Sequence, residues 1–343
     1  MEIENKRGLI NFTRGVAVFL MLWGHALQFF CGDQFDFFEN VVFKTIYSFH
    51  MPLFMLISGF LFYYSEQKRT TEELILYKAK SLLYPILMCS VLNYLFKIPD
   101  AILQGGYISV IGGTSVTRLW FLWSVLAGSI ALGFAVKTQK NSVLRIMFII
   151  VGVVFVAILP CGTMNVFMYP YFVIGYYYSK HFNKLEKFFS VFALISFVMF
   201  VIMLIFYEKK HYIYISGLFG GESLFDTIFI DLFRWFIGLF GSVAVIWICK
   251  KIHSFLRGDF IKGIELLGKE SLAVYVLAES LLSELLPKLA IYIFVVFSID
   301  WNKYIWLYNF VITPVVAVIY SFLLVLIIKL LKRIKIYKYI FGR

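Results

Sequence analysis

Charge is scarce in this sequence. Asp, Glu, Lys and Arg make up 15% of its 343 residues, against about 25% in soluble domains. Cysteine is scarce too. The four, Cys31, Cys89, Cys161 and Cys249, form no CxxC pair, which excludes the common metal and redox motifs. A Cys31–Cys161 bond near the outer surface is one option for them, and buried free thiols are the other. No cleavable leader is expected either. The first apolar run, 9–31, is too long for a signal core and lacks a small-residue cleavage site, so it reads as a retained first span. No segment between apolar runs is long enough for a soluble domain; the longest is 208–226. Neither a low-complexity tract nor an inverted repeat is visible, which counts against the inverted-repeat transporter folds.

Apolar residues fill the space left by charge. They make up 61% of the chain, with 39 Phe and 22 Tyr, a composition suited to lipid-facing surface and interfacial belts. Runs of ~18 or more apolar residues are long enough to cross a ~30 Å hydrocarbon layer as helices. The pattern predicts an all-α integral membrane protein with ten spans, at 9–31, 45–64, 81–103, 119–136, 144–159, 164–178, 188–207, 227–249, 271–286 and 304–328. Lys97 and Pro99 interrupt the third, and the fifth and sixth are short. One transmembrane domain is expected over 1–343, with no appended soluble domain.

The net charge of +12 would point to nucleic acid in a soluble protein. Here membrane orientation explains it better, and no nucleic-acid partner is expected. With the N-terminus inside and sides alternating, inside segments hold 24 of the 32 Lys and Arg, seven fall outside, and Arg234 lies within a span. That is the positive-inside asymmetry. It predicts both termini on the cytoplasmic side, whereas an odd number of spans would scramble it.

Ionisable groups inside spans are costly, so each is a functional candidate. The first span holds Arg14 and His25, eleven residues apart. At 100° per residue this is three turns plus about 20°, so both project from one helix face, ~16 Å apart along the axis. The spacing suits a long ligand with its anionic end at Arg14 and its reactive end at His25. The alternative is a snorkelling arginine and a histidine packed against a neighbouring helix. Metal-ligand spacing is absent, so no metal is expected.

His50, at the outer start of the second span, is placed to line a cavity with His25. Ser58 and Gly59 on the same span suit close helix packing. Arg234 has Asp231 three residues before it on the same face, which fits either an ion pair or a ligand contact. Glu279 is a site residue or a helix-packing partner, and Arg118 a pocket group or an interfacial anchor. His181, His211 and His253 fall between spans and read as solvated.

Several of these residues lie in motifs that resemble the acyltransferase-3 family of bacterial membrane O-acyltransferases. Arg14-Gly15 followed by His25, and the stretch from Phe49 to Phe60, resemble its first two spans. Leu119-Trp120-Phe121-Leu122-Trp123 resembles the aromatic start of its fourth. Tyr169-Pro170-Tyr171-Phe172 with Gly175-Tyr176 resembles its sixth, and Ser271-Leu272-Ala273-Val274-Tyr275 its late Ser-Leu-x-x-Tyr. The chain departs from the family in three places. Asn11 stands where an acidic residue is common. Ala278 stands where the late motif often ends in His, and Glu279 follows it. Lys78 and Lys80 stand where the family has a basic pair before the third span, and lysine does not grip phosphate bidentately.

The resemblance implies an acyl-CoA-dependent O-acyltransferase of the cytoplasmic membrane, with acetyl-CoA the default co-substrate and a cell-surface glycan or its lipid-linked precursor the acceptor. It implies that Arg14, with Lys78 and Lys80, binds the phosphates of coenzyme A. His25 then acts as general base or as acyl carrier, and an imidazole titrating near ~6.5 suits both. His50, Arg118, Arg234 and Glu279 are the candidate acceptor contacts. A transporter or flippase of a lipid-linked glycan or small solute is the alternative, and a noncatalytic scaffold a third. The Arg14–His25 pair discriminates, because a flippase does not require it.

Overall fold

The computed structural model describes residues 2–31, 34–103, 117–138, 141–279 and 301–341, with side chains for all of these except 2–6, 92–103 and 138. The described residues are helices and short connections, with no strand among them. The chain folds as two compact units, Met1–Phe54 with Glu186–Lys329, and Met55–Leu185 with Leu330–Arg343.

In chain order the helices are α1 (Glu2–Phe29), α2 (Val41–Gln67), α3 (Thr71–Leu103), α4 (Trp120–Thr138), α5 (Ser142–Ile158), α6 (Gly162–Lys180) and α7 (Phe182–Ile205). A short turn of helix, α8 (Ile213–Ser216), precedes α9 (Leu224–Phe255), α10 (Asp259–Lys269) and α11 (Ser271–Leu277). The long α12 (Ile305–Arg333) and the short α13 (Tyr337–Phe341) complete the order.

Seven of these are long and apolar enough to cross a membrane: α1 from Arg7, α2, α3 up to Val91, α4, α7, α9 and α12. The protein is therefore a multi-pass, all-helical membrane protein. The three other expected spans differ for identifiable reasons. The fifth is an apolar helix of only 17 residues. The sixth forms α6, whose polar and tyrosine-rich sequence lowers its hydropathy. Of the ninth, only 271–279 lie within the described residues. Pro99 does not end α3, which continues to Leu103.

Helix packing in unit one centres on α1 and α10. The two backbones touch: a Cβ on Gly15 would overlap the Ile264 carbonyl, and a Cβ on Gly268 would overlap that of Asn11. Only glycine permits such an approach, the packing device expected inside membranes. The α10 helix is two-faced. Ile261, Leu267 and Gly268 are buried, and Asp259, Phe260 and Lys262 are exposed. In unit two the same device joins α2 to α6, where Gly59 meets the Phe172 carbonyl and Gly175 the Leu56 carbonyl. The packing role expected of Gly59 is met.

Two sequence expectations fail. His211 is buried (5% exposed), and His253 is largely covered and pairs with Glu265 at 2.8 Å. His253 falls inside α9, which runs on to Phe255, whereas His181 is exposed as expected. All four cysteines are free thiols.

Candidate functional site

Unit one brings Arg14 and His25 of α1 against one continuous stretch of chain. The Arg14 guanidinium donates to Ser271 Oγ, the first residue of α11. Three turns further along α1, His25 Nε2 lies 3.4 Å from Glu279 Oε1. Both contacts advance in the same chain direction, so α1 and the 271–279 segment run parallel. The residues at Ala278 and Glu279 leave the α-helix for a π-turn. Such turns re-aim side chains and recur at functional sites.

His25 keeps about a fifth of its side-chain exposure. Its ring stacks on Phe29, with centroids 5.7 Å apart. Nδ1 is buried and has no hydrogen-bond partner among the described residues. An unpartnered buried polar atom costs about 1–3 kcal/mol and calls for an explanation. One nitrogen facing a carboxylate and the other unoccupied is the arrangement a positioned base requires.

The helix turns on either side of His25 are fixed by α12. Trp23 Nε1 donates to Thr313 Oγ1 at 2.9 Å, and the Tyr308 hydroxyl donates to the Leu27 carbonyl at 2.6 Å. Tyr308 opens a π-helical turn, Tyr308–Ile312, inside α12. Tyr47 of α2 fills the notch at Gly24, where a Cβ would lie 2.5 Å from its ring. The Tyr47 ring lies 4.6 Å from that of His50. His50 is buried, with Nδ1 3.0 Å from the Ile46 carbonyl, and is within electrostatic range of His25. Glu279 is likewise within range of Tyr47 and of Tyr214 on α8.

Arg234 has a different task. Nε donates to the His211 carbonyl (3.0 Å), Nη1 to Gly217 O (2.7 Å) and Asp231 Oδ1 (2.8 Å), and Nη2 to Lys210 O (2.6 Å) and Ser216 Oγ. A guanidinium has five N–H donors, and here each is taken by protein. Of the two roles open at this position, the structure therefore forms the ion pair and extends it into a clasp on the 210–217 segment. It leaves no donor for a substrate, which corrects the acceptor-contact expectation for Arg234. Within that clasp the His211 ring packs 4.3 Å from Phe233. Burial first, then the neighbouring Lys210, lower its pKa to about 4.

The remaining candidates belong to unit two. Lys78 lies 5.3 Å over the Phe62 ring, Lys80 is exposed, and Arg118 occupies the turn before α4. Sequence reasoning misses Tyr47, Trp23, Thr313 and Tyr308. Among 39 Phe and 22 Tyr, an aromatic residue carries no mark of its role. Ser271 is visible only as part of a motif. Among the described residues, no cluster of three or more His, Cys, Asp or Glu is suited to hold a metal ion.

Comparison with known proteins gives a consistent result. A model of the acyltransferase-3 domain, described as an acyltransferase domain, matches residues 8–333. The chain is 28% identical to nodulation protein NolL of Mesorhizobium japonicum over 188 residues, covering 51% of this chain and 49% of that protein. It is 27% identical to nodulation protein NolL of Sinorhizobium fredii over 185 residues, covering 52% and 50%. The matched chain thus spans about half the length of these relatives. No solved structure matches.

Proposed function

The chain belongs to the acyltransferase-3 family, and from that premise we propose that it moves an acyl group, acetyl by default, from cytoplasmic acyl-CoA to a hydroxyl of a cell-surface glycan or its lipid-linked precursor. The observation that carries the reading is the double pairing along one face of α1, Arg14 with Ser271 and His25 with Glu279. One end of that face suits a phosphate and the other suits proton transfer. The ~16 Å between them suits the pantetheine arm of coenzyme A.

In this mechanism Arg14 binds donor phosphate at the inner end of α1. Lys78 and Lys80 stay donor-binding candidates on the family resemblance alone. His25 accepts the proton of the acceptor hydroxyl as its oxygen attacks the thioester carbonyl. Glu279 stabilises the imidazolium that forms. The new C–O bond closes as the C–S bond breaks, and His25 returns the proton to the departing thiolate. The base role is favoured over an acyl-imidazole because a carboxylate beside the ring stabilises the cation that a base becomes. His50 and Tyr47 line the acceptor end.

The topology consistent with this chemistry has ten spans, both termini cytoplasmic, in the cytoplasmic membrane. The basic asymmetry supports it. The family resemblance and the membrane-spanning helices support a surface-glycan acceptor. The test is mass spectrometry of the surface glycan with and without the gene, together with acetyl-CoA consumption by purified protein. A gene-dependent acetyl increment is expected. Unchanged glycan with no acyl-CoA turnover would overturn the reading.

A further inference from the structure

The α9 helix is a candidate span ending at Phe255, so the chain that follows emerges at a membrane face. Its turn exposes apolar side chains: Phe255 is 81% exposed, Leu256 52% and Phe260 75%. Gly258, with φ of 128°, makes the bend that lets α10 begin. Lys251, Arg257 and Lys262 are exposed around the same turn; within 251–262 the one carboxylate is Asp259, 3.3 Å from Lys262. Large apolar side chains inside a basic ring are the composition of an interfacial anchor for anionic lipid.

The opposite face of α10 grips α1. Ile264 and Gly268 touch the backbone at Gly15 and Asn11, on either side of Arg14. Glu265, paired with His253, reaches the space beside Gly8, 3.1 Å from where a Cβ would stand. A displacement of α10 therefore reaches the Arg14 turn directly, through contacts of the Ile264 carbonyl with Gly15 and of Gly268 with the Asn11 carbonyl.

We propose that the α9–α10 turn, residues 255–262, is an anchor that inserts into an anionic leaflet and, through α10, holds the Arg14 turn of α1 in its donor-binding position. The second half of this inference rests on the donor role of Arg14 proposed above; the first does not.

Insertion is read without turnover. Phe260→Cys, in a Cys161→Ser background because the other three cysteines are buried, is labelled with an environment-sensitive fluorophore. The full-length protein is then reconstituted in vesicles carrying chain-nitroxide lipid. Quenching that is severalfold stronger with phosphatidylglycerol than with phosphatidylcholine alone is expected, and Arg257→Gln with Lys262→Gln should abolish the difference. Equal quenching in both lipids would overturn the anionic preference, and no quenching in either would overturn insertion. For the coupling, acyl-CoA Kd is measured in the same vesicles. A severalfold tighter Kd in anionic vesicles is expected for the wild type and is lost in the double variant. A Kd indifferent to lipid, with quenching intact, would overturn the coupling alone.

Discussion

Gly268 stands against Asn11 so closely that a single added carbon would occupy the space of the Asn11 carbonyl oxygen. Gly15 makes the reciprocal contact with Ile264. The helix carrying Arg14 and His25 is thereby held backbone to backbone against α10. Gly15 thus explains half of the Arg-Gly motif without any chemistry: the arginine is presented and the glycine seats the helix.

Gly268→Ala should therefore separate α1 from α10. Overpacking of this kind costs about 1–3 kcal/mol, and more where the obstacle is backbone. A lower melting temperature in detergent and weakened acyl-CoA binding are expected. Gly263 on the same helix has nothing within 4 Å, so Gly263→Ala should be neutral or stabilising by up to about 1 kcal/mol. Equal tolerance at the two positions would remove the proposed seat.

The Arg234 clasp makes a separate prediction. Arg234→Ala leaves the carbonyls of Lys210, His211 and Gly217 without this donor, and breaking a buried charged pair costs about 3–5 kcal/mol. Hydrogen exchange across 208–217 should accelerate by orders of magnitude, while acyl-CoA affinity stays near wild type. Unchanged exchange would show that other contacts suffice to hold the segment.

The same segment should respond to acid. The His211 pKa of about 4 in the folded protein lies below its unfolded value of ~6.5. The opened form therefore binds the extra proton between those values. Local stability is full above pH ~6.5 and is lost as pH falls towards 4, by about 2 kcal/mol at pH 5. Exchange of 208–217 should speed up from pH 7 to pH 5, after correction for intrinsic rates, and His211→Gln should flatten that dependence. A flat wild-type profile would contradict the burial argument.

Arg14 separates charge from geometry. Arg14→Ala should weaken acyl-CoA binding without loss of membrane insertion. Arg14→Lys should restore only part of it, because an ammonium lacks the bidentate fork and donates differently to Ser271. Full affinity in Arg14→Ala, measured by titration calorimetry, would return the residue to a topological role.

The shared face of Arg14 and His25 is legible from helical periodicity alone, because eleven residues nearly close three turns. Their partners are not. Ser271 lies 257 residues from Arg14 in the chain, and no local pattern announces a contact at that range. Glu279 stands out in the sequence as a departure from a family motif; its place beside His25 emerges only when α1 and α11 run parallel. Arg234 is ambiguous in the sequence because four of its five contacts are with a hydroxyl and backbone carbonyls, and carbonyls carry no residue signature. Glycine contacts at 15 and 268 are equally silent, since the glycine code does not distinguish a turn from a seat.

The central claim is that His25 transfers the proton, and one substitution tests it most directly. His25→Gln keeps the size and hydrogen bonding of the side chain but cannot exchange the proton or carry an acyl group. Transfer of labelled acetyl from acetyl-CoA to envelope glycan is measured in membranes matched for protein content, with acyl-CoA binding measured in parallel. The account predicts loss of transfer, at least about 10²-fold, with acyl-CoA affinity near wild type. Near wild-type transfer in His25→Gln would contradict it.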